Sequence, residues 1–256
     1  MSQNKEVRGD KRYYLQASLD YSRLFFNKHR VGAFAMVYQQ ETSDVNFDTK
    51  DLMGSIPHRN LAYSGRFTYA YKDKYMAEFN WGYTGSENFE HGKQFGFFPA
   101  VSAGWVISEE SFVKKAMPWL DMFKIRGSYG EVGNDELDGR RFPYITLVDK
   151  DESGSYAFGE FGTNTVLGYR IKTLGTPYLT WEVAKKYDIG VDFSIFNGKF
   201  TGTVDYFVDK RDDIFMQRNQ MPLTTGLADQ TPMANVGKMK STGWDGNIAY
   251  TCLLYT

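Results

Sequence analysis

A two-residue alternation of apolar and polar side chains recurs along this chain and constrains it more than any other feature. From Leu61 to Lys72, Leu61, Tyr63, Gly65, Phe67, Tyr69 and Tyr71 fall on one face of an extended strand, while Ala62, Ser64, Arg66, Thr68, Ala70 and Lys72 fall on the other. After Lys72-Asp73-Lys74 the pattern resumes, with Tyr75, Ala77, Phe79, Trp81 and Tyr83 opposite Met76, Glu78, Asn80, Gly82 and Thr84. The spacing predicts a hairpin. Tyr187, Ile189, Val191, Phe193 and Ile195 oppose Lys186, Asp188, Gly190, Asp192 and Ser194, and Asn197-Gly198 suits the positive φ of a tight turn. The return strand sets Phe200, Gly202, Val204, Tyr206 and Val208 against Thr201, Thr203, Asp205, Phe207 and Asp209, where only Phe207 breaks the polar face.

Weaker alternation at Leu15 to Tyr21, Val31 to Tyr38, Phe97 to Ile107, Phe123 to Tyr129 and Trp244 to Tyr250 brings the expected strands to nine. A short helix is expected over Ser108 to Lys115, with Ser108 as N-cap, Glu109 and Glu110 in its first turn and Lys114 and Lys115 in its last. The composition agrees with an all-β chain: aromatics make up 17 percent, beside 25 Gly and only 7 Pro. A formal net charge of −1 leaves no excess of cations to attract a phosphate backbone, so nucleic acid is not an expected partner. No apolar run approaches the roughly 18 residues of a membrane helix, which leaves barrels open. Cys252 is the single cysteine, so neither a disulfide framework nor a cysteine zinc site is encoded.

The connections between the strands alternate in length. Ser22 to Lys28, Lys72 to Lys74 and Asn197 to Lys199 are brief, and the fifth holds the small helix. Gln39 to Asn60, Gly85 to Gly96, Glu131 to Tyr178 and Asp212 to Lys238 are extended. In an up-and-down antiparallel sheet, odd and even connections lie at opposite ends, so every long one gathers at one end. Transmembrane β-barrels are built this way, with short periplasmic turns and long extracellular loops. Aromatics cluster at the brief turns, at Tyr21, Phe25, Phe26, Tyr69, Tyr71, Tyr75, Phe196 and Phe200, as a headgroup girdle requires. A soluble β-sandwich whose apolar faces pack together would show the same alternation. Strands of about ten residues, the long connection at Glu131 to Tyr178, and Tyr and Trp near strand ends favour the barrel.

Several stretches resemble the barrel of the SusC/RagA-type TonB-dependent outer-membrane transporters. The most specific is Phe98-Pro-Ala-Val-Ser-Ala-Gly-Trp-Val-Ile-Ser-Glu-Glu-Ser-Phe112, followed by Phe123-Lys-Ile-Arg-Gly-Ser-Tyr-Gly-Glu-Val-Gly-Asn134. Leu179-Thr-Trp-Glu182, Asp188-Ile-Gly-Val-Asp-Phe193, Val204-Asp-Tyr206, Asn235-Val-Gly-Lys-Met239 and Gly243-Trp-Asp245 resemble later strands of that family in order and spacing. The resemblance implies a large plugged barrel, of about 22 strands. Nine strands do not close such a barrel, so residues 1–256 are expected to be a partial barrel. A signal peptide, plug domain and closing strands are not apparent, and Cys252-Leu-Leu-Tyr-Thr256 breaks off within a strand pattern. It further implies an outer-membrane location in contact with lipid and import of glycans, or less often peptides. The implied partners are a SusD-like lipoprotein as lid and TonB.

No catalytic, cofactor or metal residues are expected. His29, His58 and His91 are scattered through connections, Asp135, Glu136 and Asp138 miss the spacing of a calcium loop, and Asp212-Asp213 point to opposite faces of an extended chain. The polar face offers Arg66, Glu78, Asn80, Arg126, Asp188, Asp192 and Asp205 as lumen-facing candidates. Tyr144, Tyr156, Phe158, Phe161 and Tyr169, in the long connection, are candidates for contacting an oligosaccharide or peptide substrate or a protein partner, because flat rings stack on sugars and anchor interfaces. The competing readings are a soluble carbohydrate-binding β-sandwich and a β-rich hydrolase, the latter short of an acid and base pair.

Overall fold

The computed structural model describes residues 8–46, 56–137, 140–217, 224 and 233–251. Among these, alternating residues build β1 (Arg8–Phe25), β2 (His29–Asn46), β3 (His58–Tyr71), β4 (Tyr75–Ser86), β5 (Phe95–Val106) and β6 (Leu120–Asn134). They also build β9 (Glu182–Ile195), β10 (Phe200–Gln217) and β11 (Met233–Tyr250). These nine strands form one antiparallel sheet in the order β1-β2-β3-β4-β5-β6-β9-β10-β11, paired on one side only at β1 and β11. The strands run from 12 to 18 residues. That exceeds the ten or so expected, because pairing continues past the stretches that alternate, as from Arg8↔Asn46 to Phe25↔His29 between β1 and β2.

Two strands were not expected. Within the connection from Glu131 to Tyr178, β7 (Leu147–Phe158) and β8 (Asn164–Thr173) pair as a separate two-stranded sheet. A register shift between Asp151 and Tyr156 breaks the alternation there, so no period of two survives in the sequence. The connection is therefore a structured excursion between β6 and β9, which pair directly along their length. The helix also differs from expectation. Ile107–Glu109 form a 3-10 turn, Glu110 is extended (φ −74°, ψ 138°), and the α-helix α1 covers only Ser111–Ala116. Ser108 is buried and is not the N-cap of α1.

Register carries the alternation across the sheet. Phe67, Phe79, Val101, Tyr129 and Tyr187 lie in one row, and Ile125, Val191, Val204 and Gly246 in another. The side of the sheet bearing these rows is apolar, and the other is mainly polar, interrupted by Phe34, Met76, Phe98 and Phe207. Over Tyr75–Asn80 the apolar side is exposed and the polar side half-buried. Among the described residues the one other sheet, β7 and β8, pairs only with itself. Ile189 stays 62% exposed and Trp244 74%, which no soluble core arrangement would leave. The one cluster of buried apolar side chains among the described residues lies at the long-connection end, where Phe89, Leu137, Leu179 and Trp181 pack together with Phe98, Val183 and Phe215 against them.

The short-turn end is knit by main-chain bonds. Paired positive φ angles at Phe26-Asn27, Lys72-Asp73 and Phe196-Asn197 give the primed geometry that matches strand twist. Adjacent turns then bond to each other: the Lys72 amide donates to the Lys28 carbonyl (2.7 Å), Val106 to Lys74 (2.8 Å) and Phe196 to Trp119 (3.0 Å).

Candidate functional site

The seven polar-face candidates fall into two groups. On β3 and β4, the Arg66 Nε donates to Asn80 Oδ1 (3.0 Å) and lies 3.5 Å from Glu78 Oε1, while Asn80 Nδ2 donates to the same Glu78 oxygen (2.7 Å). On β6, β9 and β10, one guanidinium serves three carboxylates. Arg126 Nη1 is 3.3 Å from Asp188 Oδ1, Nε is 3.3 Å from Asp192 Oδ1, and Nη2 donates to Asp205 Oδ2 at 2.7 Å.

The residue that makes the second group possible is Gly190, which sequence reading passed over as one more polar-face position. It pairs with Arg126 on one side and Asp205 on the other. With no side chain between them, the two charges meet across the middle strand. A Cβ at 190 would stand 2.8 Å from Arg126 Cζ and closer still to Asp205 Oδ1. The signal in the sequence was a glycine flanked at two residues by Asp188 and Asp192, with Arg126 in the preceding sheet strand. The arrangement also fixes register where no tight turn does so, because β6 and β9 are joined by the long excursion rather than by a hairpin.

Between the two groups lies a groove of about 360 Å³, lined on the polar face by Glu78, Ser102, Gly104, Lys124, Arg126 and Asp188. Its floor is made of small residues and its walls carry both signs of charge. Such a surface suits a wet, polar neighbour and offers no nucleophile with a base beside it.

At the long-connection end, the expected aromatic residues are not equivalent. Tyr156 and Phe158 lie on β7 and Tyr169 on β8, rather than in a loop, and Phe161 sits in the turn between them. They are exposed at 67%, 51%, 71% and 86%, and Tyr156 and Phe158 meet edge to face with centroids 4.8 Å apart. Tyr144 is half-buried at the neck and packs on Phe142. The neck is closed by Thr176 N–H donating to the Pro143 carbonyl (2.9 Å) and Gly175 N–H to Thr146 Oγ1 (3.0 Å).

Below the neck, motifs distant in sequence interlock. Leu179 and Trp181 enter the buried cluster, Trp181 packing on Phe89 with centroids 4.9 Å apart. Asn235 accepts from Thr180 N–H (3.0 Å) and donates to the Thr180 and Asp213 carbonyls (2.9 and 2.7 Å). Arg141 reaches Glu87 Oε1 (2.6 Å) and the carbonyls of Ile56 and Pro57. At the opposite end, Glu110 accepts from the Tyr75 hydroxyl (2.8 Å) and lies 3.7 Å from Lys74 Nζ, with Trp105 stacked on Tyr75. The Tyr75 hydrogen bond holds the Glu110 carboxyl below the usual carboxylate range, and Trp105 and Lys74 act in the same direction. Commitment of Glu110 to these partners explains the extended residue that splits the expected helix. Asp138, Cys252 to Thr256 and much of Asp212 to Lys238 lie outside the described residues.

A sheet with all tight turns at one end, an uncovered apolar side and a charge-bearing polar side can be compared with known proteins. The family model described as TonB dependent receptor-like, beta-barrel matches residues 2–256. The chain belongs to this family. TonB-dependent receptor P26 of Formosa agariphila is 31% identical over 212 residues, covering 78% of this chain and 20% of that protein. TonB-dependent receptor SusC of Bacteroides thetaiotaomicron is 30% identical over 189 residues, covering 73% of this chain and 18% of SusC. Among solved structures, the RagAB peptide importer in its closed-closed state superposes with a TM-score of 0.76 at 22% identity, over 98% of this chain and 28% of that one. The siderophore receptor PirA of Pseudomonas aeruginosa gives a TM-score of 0.59 at 13% identity, which shows the shared fold. This TonB-dependent receptor barrel chain spans about a fifth of the length of the curated relatives it matches.

Proposed function

We propose that residues 1–256 form part of a larger outer-membrane barrel that imports oligosaccharides or peptides by TonB-dependent transport. The observation that carries this reading is the division of one sheet, in a member of this family, into an exposed apolar side that no described strand covers and a polar side organised by Arg126 and Arg66. The apolar side contacts outer-membrane lipid and the polar side lines the lumen. The short turns face the periplasm, and the β7–β8 hairpin stands at the extracellular mouth. There Tyr156, Phe158, Phe161 and Tyr169 are free to meet substrate or a SusD-like lipoprotein lid, with Tyr144 bracing the neck. Transport rather than catalysis is the activity. Among the described residues, the sandwich alternative has no second sheet matched in size to the nine-stranded one, only the two-stranded β7–β8.

Two experiments test the reading. In cells carrying the full-length protein, uptake of its cognate oligosaccharide or peptide should stop when TonB is deleted, and import that persists removes the transporter class. Residues 1–256 expressed alone in water should aggregate, because two unpaired edges and a bare apolar side are exposed. A monomer that unfolds sharply and reversibly without detergent contradicts the partial-barrel reading.

A further inference from the structure

On the apolar side, one row of the sheet is made of small residues. Ala77, Ala103 and Gly127 stand in register across β4, β5 and β6, with Phe79, Val101 and Tyr129 in the row toward the long connections and Tyr75, Trp105 and Ile125 in the row toward the turns. Tyr69 and Ile189 continue the small row at its two ends, so it is closed by larger side chains. Within this row, Ala103 and Gly127 floor an apolar furrow of about 720 Å³, bordered by Tyr75, Trp105, Ile125 and Ile189.

The rings beneath the furrow carry a charge at their edge. Trp105 stacks on Tyr75 at 6.1 Å, Tyr75 on Tyr71 at 6.4 Å, and Lys72 Nζ lies 5.3 Å from the Tyr71 ring. The acids of this end are already engaged: Asp73 with Arg30, Glu109 with Lys114, Glu110 with Lys74, and Asp121 with the Gly198 amide. Among the described residues, Lys28, Lys72, Lys115 and Lys199 have no ion-pair partner within reach. Positive charge therefore accumulates at the foot of the furrow, with Lys72 three residues or about 10 Å from its floor along the strand.

From this we infer that the furrow is a binding site for one anionic diacyl phospholipid of the turn-side leaflet. An acyl chain lies over Ala77, Ala103 and Gly127, the glycerol region meets the Tyr71, Tyr75 and Trp105 rings, and the phosphate meets Lys72 as a point charge. Continuity with the lipid-facing surface argues for a lipid as occupant, and the excess of lysine selects an anionic headgroup over a zwitterionic one. The inference rests on the membrane reading of the apolar side.

The test uses the full-length protein purified in mild detergent and titrated with phosphatidylglycerol or phosphatidylethanolamine under native mass spectrometry. Wild type should retain one phosphatidylglycerol in preference to phosphatidylethanolamine. Lys72→Gln should weaken phosphatidylglycerol retention about fivefold, the effect of one surface cation, and leave phosphatidylethanolamine unchanged. Ala103→Phe should fill the furrow and weaken both lipids, whereas Ala33→Phe, on the same side but outside the furrow, should weaken neither. Equal retention of the two lipids by wild type, or unchanged phosphatidylglycerol binding in Lys72→Gln, overturns the site. Lys72 is an exposed turn residue, so its variant keeps the test open if Ala103→Phe fails to assemble. Wild type that is absent from the outer-membrane fraction refutes the membrane reading itself, a result separate from loss of lipid preference.

Discussion

The nine-stranded sheet and the β7–β8 hairpin are built from the same local geometry and end in opposite conditions. In the sheet, alternation sorts side chains into an apolar side and a polar side, and Arg126 ties three strands together on the polar one. In the hairpin no sorting occurs: Tyr156, Phe158 and Val166 are exposed on one side, and Val148, Leu167 and Tyr169 on the other. Two different solvents on two sides write a period of two into a sequence, while water around both sides of a hairpin leaves no such mark. Rings retained in water on both sides suit a surface that meets partners.

The comparison can be broken at its root. Trp181→Ala should cost the most, about 3–5 kcal/mol, because it empties the buried cluster beneath the hairpin. Urea titration of the assembled barrel checks this, and a loss confined to hairpin order with unchanged barrel stability would separate the two regions further. The next largest effect is on the apolar side. Val191→Arg should cost about 2–4 kcal/mol near the bilayer midplane, and Thr203→Arg, one pleat away on the polar side, far less. Equal costs would erase the distinction between the sides. Gly190→Ala should cost about 1–3 kcal/mol by forcing Arg126 and Asp205 apart, and Asp205→Ala, which removes the nearest atom, should remove most of that added penalty in the double variant.

Excision of residues 147–173 should leave barrel stability nearly unchanged, since the neck already holds Thr146 and Gly175 together. The same excision should weaken lid binding or uptake. Wild-type levels of both would remove the hairpin from the mechanism. The smallest effect is at Glu110, whose carboxyl is held below its ordinary value of 4.5. A depressed carboxyl stabilises the fold fully above the unfolded value and loses that contribution as pH falls through the folded one. Wild type should therefore exceed Glu110→Gln in thermal stability at pH 7, and the gap should close on acidification below about pH 4. A gap independent of pH would assign the clamp to shape rather than charge.

Much of the sheet was legible in the sequence because its physics is local. Leu61 to Thr84 and Lys186 to Asp209 give strand, side and turn from period and turn chemistry alone, and pairing confirms each assignment. The polar candidates were also legible as a set, although not as two groups, since Arg126 meets Asp205 only through a register that spans 79 residues. The Asn235–Thr180 pair was invisible for the same reason, and Gly190 showed only as a glycine between Asp188 and Asp192, because each matters through a neighbour far along the chain. The hairpin escaped because a bulge between Asp151 and Tyr156 disrupts the one signal a strand sends. The helix was misread because Glu110, scored as a first-turn acid, is held in an extended conformation by Tyr75 and Lys74.

The central claim is that one side of this sheet meets lipid and the other a wet lumen. Single spin labels at successive positions from Tyr187 to Phe193, in the full-length protein with Cys252 replaced and reconstituted in bilayers, test it most directly. Labels at Tyr187, Ile189, Val191 and Phe193 should be accessible to oxygen and shielded from a water-soluble nickel chelate, and labels at Asp188, Gly190 and Asp192 should show the reverse. Accessibility without a period of two, or oxygen exclusion at both sets of positions, would contradict the account.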